Sequence, residues 1–197
     1  MDPRQVRLRV AYTPGQAQFI DRWADANPKA LVTFNGGYFD PDAKVIGVLV
    51  ADGQAYGASL QGYGGMLTAD ASGVIDVRSL RTKPYSAGEK LTAALQCYPV
   101  LVMPGGVSST LANDNGARAR RTVVAIDRSG RFLVIAITDP LTLTESSAWL
   151  LASGLQVDRA LNLDGGPSTG VLVRTPSMNR TVPALSPLPF VVYVEAR

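Results

Sequence analysis

The stretch RTVVAIDRSGRFLVIAITD, residues 121–139, constrains this chain more than any other. Two runs rich in Val and Ile flank Asp127-Arg128-Ser129-Gly130, a set of residues suited to a tight turn. Such runs are long enough to cross a core as strands, and their β-branched side chains suit a pleated surface. The turn folds one run back on the other. A chain built around this hairpin needs an antiparallel sheet, with further elements to pair its edges and cover its faces.

The remaining sequence supplies them. Val6, Leu8, Val10 and Tyr12 alternate with Arg7, Arg9 and Ala11, the pattern of a half-buried strand with a basic outer face. TPGQAQFIDRWADANP predicts a helix capped by Thr13, with Pro14 in its first turn and Asn27-Pro28 as its stop. ALVTF (30–34) reads as a buried strand. VIGVLVADGQAY and GYGGMLTADASGVIDV read as antiparallel strands joined at Asp-Gly and Ser-Gly turns. LTAALQCYPVLVM (91–103) reads as a further strand, with Pro99 marking a bulge or an edge. Residues 104–120 form a long polar loop of the kind that usually carries function. Thr142 and Glu145 have capping-box spacing and open a second helix through Leu151, which Gly154 can end. ALNL, GVLVR and PFVVYV complete the strands. The expected fold class is α+β: a single compact domain over 1–197, with a mixed or antiparallel central sheet flanked by helices.

Composition narrows the chemistry. Hydrophobic residues make up 46% of the 197 and charged residues 18%, so the chain can bury a core and is not disordered. It has no histidine, which excludes a Ser-His-Asp triad, His-ligated zinc and a His general base; proton transfer falls to Asp, Glu, Lys, Tyr or Cys. The single cysteine, Cys97, sits in an apolar run and reads as a small buried hydrophobe. The net charge of +3 and a pI near 9.2 suit an anionic ligand. No nucleic-acid-binding motif accompanies them, so no nucleic-acid partner is expected. No segment reaches the roughly 18 apolar residues of a membrane span. No signal peptide opens the chain, so either this is the natural start or a leader has been removed.

Three strand ends share one pattern. Asn35-Gly36-Gly37 follows LVTF, Asp164-Gly165-Gly166 follows ALNL, and Asp139 follows VIAIT. Each places a polar side chain where a buried strand emerges. The glycines let backbone N–H groups approach a ligand, although each triplet is equally the composition of an ordinary turn. Arg121 opens a strand rather than lying on a solvated face, whereas Arg118 and Arg120 read as solvated loop charges. Tyr38 and Phe39 divide between core packing and a sugar subsite, Glu145 between capping and chemistry, and Asp139 between a loop cap and catalysis. Asp139 and Asp164 are oxygen ligands of the type calcium or magnesium prefers, but no EF-hand spacing accompanies them and no metal or other cofactor is expected.

LVTFNGGYF, RTVVAID, LVIAITD and LTLTESSAWLLASGLQVDRALNLDGGPST, in that order, resemble the phosphodiester glycosidase family, and the resemblance covers most of residues 30–194. It implies hydrolysis of the bond between the anomeric carbon of a sugar, of the N-acetylglucosamine type, and a phosphodiester. It implies a sugar phosphodiester or polysaccharide as partner, and placement in the envelope or outside the cell if a leader has been removed. Residue by residue, it points to Asn35, Gly36, Gly37, Arg121, Asp164, Gly165, Gly166 and Ser168. Pro167 stands where the family usually has a third small residue and Ala125 where it usually has Gly. The disulfide-rich appendages of the vertebrate members are missing.

The chemistry fits these residues. An arginine fork matches the oxygens of a departing phosphate, and a carboxylate is needed to activate water or to attack the anomeric carbon. Asp164 is the candidate for the carboxylate and Asp139 for a second one. Asn35 would hold a hydroxyl or a phosphate oxygen, Gly36 and Gly37 would offer N–H groups, and Ser168 and Thr169 would bond phosphate. Two other readings stay open: a non-catalytic glycan or cell-envelope binding module, and a hydrolase that breaks P–O rather than C–O.

Overall fold

A computed structural model describes residues 1–110 and 114–197. Among the described residues 46% are in strands and 10% in helix, arranged as three antiparallel five-stranded sheets with two α-helices. This overturns the expected α+β class, in which helices flank one central sheet. The apolar runs are short, and only two connections between strands, Tyr12 to Ala30 and Leu141 to Val157, pass through an α-helix. The chain therefore covers sheet with sheet.

The first sheet runs, in order, β1 (Val6–Tyr12), β15 (Phe190–Ala196), β2 (Ala30–Asn35), β13 (Val171–Thr175) and β14 (Met178–Val182). The second is β11 (Phe132–Leu141), β10 (Ala119–Asp127), β12 (Val157–Asn162), β8 (Val100–Met103) and β9 (Val107–Ser108). The third is β4 (Gln54–Tyr56), β3 (Leu49–Ala51), β7 (Leu91–Cys97), β5 (Gly65–Asp70) and β6 (Ile75–Ser79). Inner faces of all three meet in one core that includes Leu8, Phe34, Leu67, Leu95, Val124, Phe132, Leu161 and Phe190.

Each helix covers the outer face of a different sheet. In α1 (Ile20–Ala26), Ile20 and Trp23 pack on the first sheet with Leu188 and Val191, and the indole N–H of Trp23 donates to the Leu188 carbonyl at 2.9 Å. The helix starts six residues later than Thr13-Pro14 predicts. Those residues make a turn closed by Gln16 N–H on the Thr13 carbonyl, and the helix begins where the buried stripe does. In α2 (Leu143–Ala152) the expected capping box is present, with Thr142 and Glu145 each bonding the other's backbone N–H. Leu150 packs it on the second sheet.

Residues 91–103 are not one strand. β7 belongs to the third sheet and β8 to the second, with Tyr98 and Pro99 between them. The 104–120 segment is only partly loop: β9 lies inside it and pairs with β8, and residues 111–113 lie outside the described ones. No described helix is long and apolar enough to cross a membrane.

The central hairpin is as its sequence dictates, with Ile126 opposite Phe132. Asp127 locks the turn. Its carboxylate accepts from Ser129 N–H and Oγ and from Arg131 N–H, at 2.8–2.9 Å, and pairs with Arg131 Nε at 2.6 Å. Burial opposes ionisation, but these donors together outweigh it and hold the carboxyl at about 2, below its ordinary 3.8. Because the folded value lies below the unfolded one, the stabilisation is present above pH 4 and is lost as pH falls through about 2. Asp127→Asn is expected to cost about 1–2 kcal/mol at pH 7, with the gap closing toward pH 2. Denaturant titrations of both proteins at pH 7 and pH 2.5 check this.

Candidate functional site

The ends of β2 and β12 meet at the start of β10, and Asn35 holds them together. It is 1% exposed, and all four hydrogen-bonding positions of its amide are used inside the protein. Nδ2 donates to the carbonyls of Asp164 (2.8 Å) and Gly36 (3.1 Å). Oδ1 accepts from the Thr122 hydroxyl (2.7 Å) and Gly170 N–H (3.1 Å). A buried side chain saturated in this way positions a site and has no valence left for a sugar or a phosphate.

The glycines after Asn35 are explained by packing. A Cβ on Gly36 would collide with the Phe190 ring, and one on Gly37 would press on the β7 backbone and the fully buried Cys97. In the second triplet, a Cβ on Gly165 would fall 2.8 Å from the Arg120 carbonyl, with the Arg121 side chain beyond it, and Gly166 has a φ of +58° that a side chain would strain. Pro167 lies inside the single 3-10 turn Gly166–Ser168, and its carbonyl accepts from Leu185 N–H at 2.7 Å. The DGGPS segment is therefore a tight turn laid against β10. Thr169 is fully buried beneath it, away from solvent, and Ser168 is 6% exposed.

That turn sets Asp164 just past the end of β12, the neighbour of β10, which carries Arg121. Val123 pairs with Asn162 across β10 and β12, and Leu163 N–H continues the ladder to the Thr122 carbonyl. By the two-residue period, Arg121, Val123, Asn162 and Asp164 share the face away from the central core. Asp164 is largely buried, and its Oδ1 accepts Gly165 N–H at 2.8 Å. Burial raises its pKa above the ordinary carboxylate value, against the opposing hydrogen bonds from Ser168 and Gly165. The Arg121 guanidinium is fixed by backbone: Nε donates to the Leu141 carbonyl at 3.0 Å and Nη2 to that of Ala117 at 2.7 Å. It forms no ion pair with a carboxylate among the described residues.

Arg121 opens onto a cleft of about 460 Å³, walled on one side by Tyr38, Tyr98 and Tyr63 and on the other by Leu143 and Asp114. Asp164 stands behind this wall. Burial pushes the phenols of both Tyr38 and Tyr98 up, and the negative charge of Asp164 pushes them the same way. Tyr38 Oη donates to the Tyr98 carbonyl at 2.9 Å, and Asn162 Nδ2 reaches Tyr38 Oη and the same carbonyl at 3.2 Å each. Asp114 is committed elsewhere, to Thr144 N–H and Oγ1 at the start of α2.

Other sequence candidates lie apart from this group. Asp139 is exposed, in a register shift between β10 and β11 where Ile137 pairs Arg121 but Leu141 pairs Ala119. The extra residues bulge outward and carry its carboxylate to solvent, outside the cleft lining. Arg118 pairs with Glu145 at 2.6 Å. Arg120, expected to be solvated, clamps the carbonyls of Thr169 and Pro183. Phe39 packs on the core. The residues that sequence reasoning passed over are Thr122, Asn162, Tyr98 and Tyr63. The signal for the first two was present: each is a polar residue bordering the apolar run of its strand, VVAI after Thr122 and AL before Asn162.

With this geometry in place, comparison with known proteins is informative. The sequence pattern of the phosphodiester glycosidase family matches residues 28–195. The chain belongs to that family. No curated protein matches it by sequence. Among solved structures, it is similar to the catalytic domain of zebrafish N-acetylglucosamine-1-phosphodiester alpha-N-acetylglucosaminidase, auto-inhibited by its pro-peptide. The TM-score is 0.72 at 18% identity, over 99% of this chain and 74% of that one. A protein from Synechocystis aligns over all of this chain and 58% of its own length (TM-score 0.68, 15% identity). A candidate exported protein of Burkholderia pseudomallei aligns over 99% and 72% (TM-score 0.67, 14% identity). At these identities the likeness is one of fold.

Two variants separate the positioning and reactive parts. Asn35→Ala strands two buried donors and two buried acceptors and is expected to cost at least about 2 kcal/mol, read from the urea midpoint. Asp164→Asn has the opposite sign. The folded pKa of Asp164 lies above its unfolded value, so ionisation costs stability as pH rises beyond 4. The Asn variant should match wild type near pH 3 and exceed it at pH 7, a comparison that thermal melts at the two pH values make directly.

Proposed function

We propose that this protein hydrolyses the bond between the anomeric carbon of a sugar and the oxygen of a phosphodiester, releasing free sugar and a phosphomonoester. The observation that carries this reading is the presence, on one face of neighbouring strands, of a partly buried carboxylate, Asp164, and of Arg121, with no ion pair between them. That arginine is anchored by two backbone carbonyls and unpaired with any acid among the described residues.

The roles follow from the chemistry. A phosphomonoester leaves without needing a proton, so a second carboxylate acting as acid is dispensable, in keeping with the exposed position of Asp139 outside the cleft. Negative charge gathers on the phosphate oxygens as the C–O bond breaks, and the Arg121 fork is the group to stabilise it. Asp164 either takes a proton from the attacking water or attacks the anomeric carbon itself. Burial raises its pKa and so makes it a stronger base than an exposed carboxylate. Asn35 joins the Asp164 backbone carbonyl to Thr122, the neighbour of Arg121, and Asn162 holds Tyr38 in the cleft wall. An N-acetylglucosamine-type sugar and a site of action outside the cytoplasm are extensions of this reading, in line with the zebrafish and Burkholderia structures it resembles.

An alkyl phosphodiester of N-acetylglucosamine is the substrate for the test. Wild type is expected to release free sugar, and Asp164→Asn and Arg121→Ala, both folded, to lose about 10²–10⁴-fold in kcat. In ¹⁸O water the label should enter the sugar; label in the phosphate would mean P–O cleavage. Tight binding without turnover, unchanged in Asp164→Asn, would establish a glycan-binding module instead.

A further inference from the structure

The three tyrosines of the cleft form a row of mutually tilted rings that runs from Asn162 to the surface. Tyr38 and Tyr98 lie 4.5 Å apart between ring centres, and Tyr98 and Tyr63 lie 4.8 Å apart. The inner ring is tied to Asn162, and the outer ring, Tyr63, is 42% exposed. Tyr63 is nonetheless held firmly through its backbone. The buried side chain of Gln96 donates to the carbonyls of Leu60 (2.7 Å) and Tyr63 (2.9 Å) and accepts Leu60 N–H (3.0 Å). A buried amide spent on one surface turn indicates that the position of that turn matters.

An arginine comes to the cleft from the neighbouring turn. Gly65 pairs with Ser79 in the β5–β6 ladder, and Leu80 N–H bonds the Gly64 carbonyl at 3.1 Å just beyond it. Tyr63 and Arg81, the residues that flank this bond, both line the cleft. Arg81 has no carboxylate within ion-pair distance among the described residues. The cleft thus has a second arginine, at its mouth, beside a ring face. Arg121 at the inner end accounts for one phosphodiester and leaves Arg81 without a purpose in that reaction.

We propose that Tyr63 and Arg81 form a leaving-group subsite selecting phosphodiesters whose far side is a ring bearing a second negative charge, such as a uronate. The inference rests on the hydrolase reading above only for the word leaving; as a binding site it stands by itself. A ring group stacks its apolar face on Tyr63 and Tyr98, its carboxylate meets the Arg81 guanidinium as a charge-assisted pair, and the phosphate reaches Arg121. A lipid tail suits the wall poorly, because Ser79, Ser109, Thr110 and Asn115 interrupt it with hydroxyls and an amide.

The experiment compares two phosphodiesters of one sugar, esterified to glucose or to glucuronate. Binding is measured by calorimetry on Asp164→Asn, so that turnover does not intervene, and kinetics on wild type. The glucuronate ester should bind roughly 5–10-fold more tightly at low salt, with the preference shrinking as salt rises. Arg81→Gln should abolish the preference while leaving the glucose ester within twofold. Tyr63→Ala should weaken both esters roughly 3–10-fold, raise KM and spare kcat, and Tyr63→Phe should restore binding. Equal binding of the two esters, or an Arg81→Gln effect of equal size on both, would overturn the subsite. The preference without any wild-type turnover would keep the subsite and remove the hydrolase; turnover without the preference would do the reverse.

Discussion

The buried amide of Asn35 is the interaction on which the rest of the site depends. Four hydrogen bonds join the end of β2 to Thr122 on β10, to Gly170 before β13 and to the Asp164 carbonyl after β12. Two of the three sheets are thereby pinned at one point, and Asp164 and Arg121 hang from that point. Each bond alone contributes about 1 kcal/mol net, but losing the amide would leave several buried groups unpaired together, which is much the larger cost. Asp164 and Arg121 come from strands that are neighbours in the second sheet, so their separation is fixed by a β ladder. Asn35 ties the backbone of Asp164 to Thr122, the residue after Arg121.

The same design explains how a carboxylate can be held under conditions that disfavour its charge. Asp164 is buried, and that burial outweighs the hydrogen bonds it receives. Asp127 is buried as well and ends with a lowered pKa, because donors from Ser129 and Arg131 surround it. Two aspartates at the two ends of β10 thus show opposite balances of the same forces. The one that closes a turn gathers enough donors to offset its burial, and Asp164, with bonds from Ser168 and Gly165, does not. A carboxylate held so is kept at a cost to stability, and functional sites are where such costs concentrate.

Much of this was legible in the residues and some was not. The hairpin at Asp127–Gly130, the Asp-Gly turn at 52–53 and the Thr142–Glu145 box are local devices, and local signals specify them completely. The fold class was misread because strand and helix signals carry no information about which sheet a strand joins. Residues 91–103 look continuous, yet they serve two sheets. The NGG and DGG triplets announced a special place, but glycine looks the same in sequence whether its bare face meets a ligand or the ring of Phe190. Tyr98 and Tyr63 gave no signal at all, since their proximity is made by the passage from β7 to β8 and by a turn held through Gln96.

That passage has a consequence for how such a cleft can change over evolutionary time. Tyr98 and Pro99 are all that joins the third sheet to the second there, and both ladders are already engaged at Cys97 and Val100. An insertion at this seam has nowhere to go without displacing a strand. The outer walls, from residues 62–64, 109–110 and 114–117, are surface segments where added length costs only slowly growing loop entropy. The inner end of the cleft is therefore a fixed anvil, and new substrate preferences must be forged from the mouth inward.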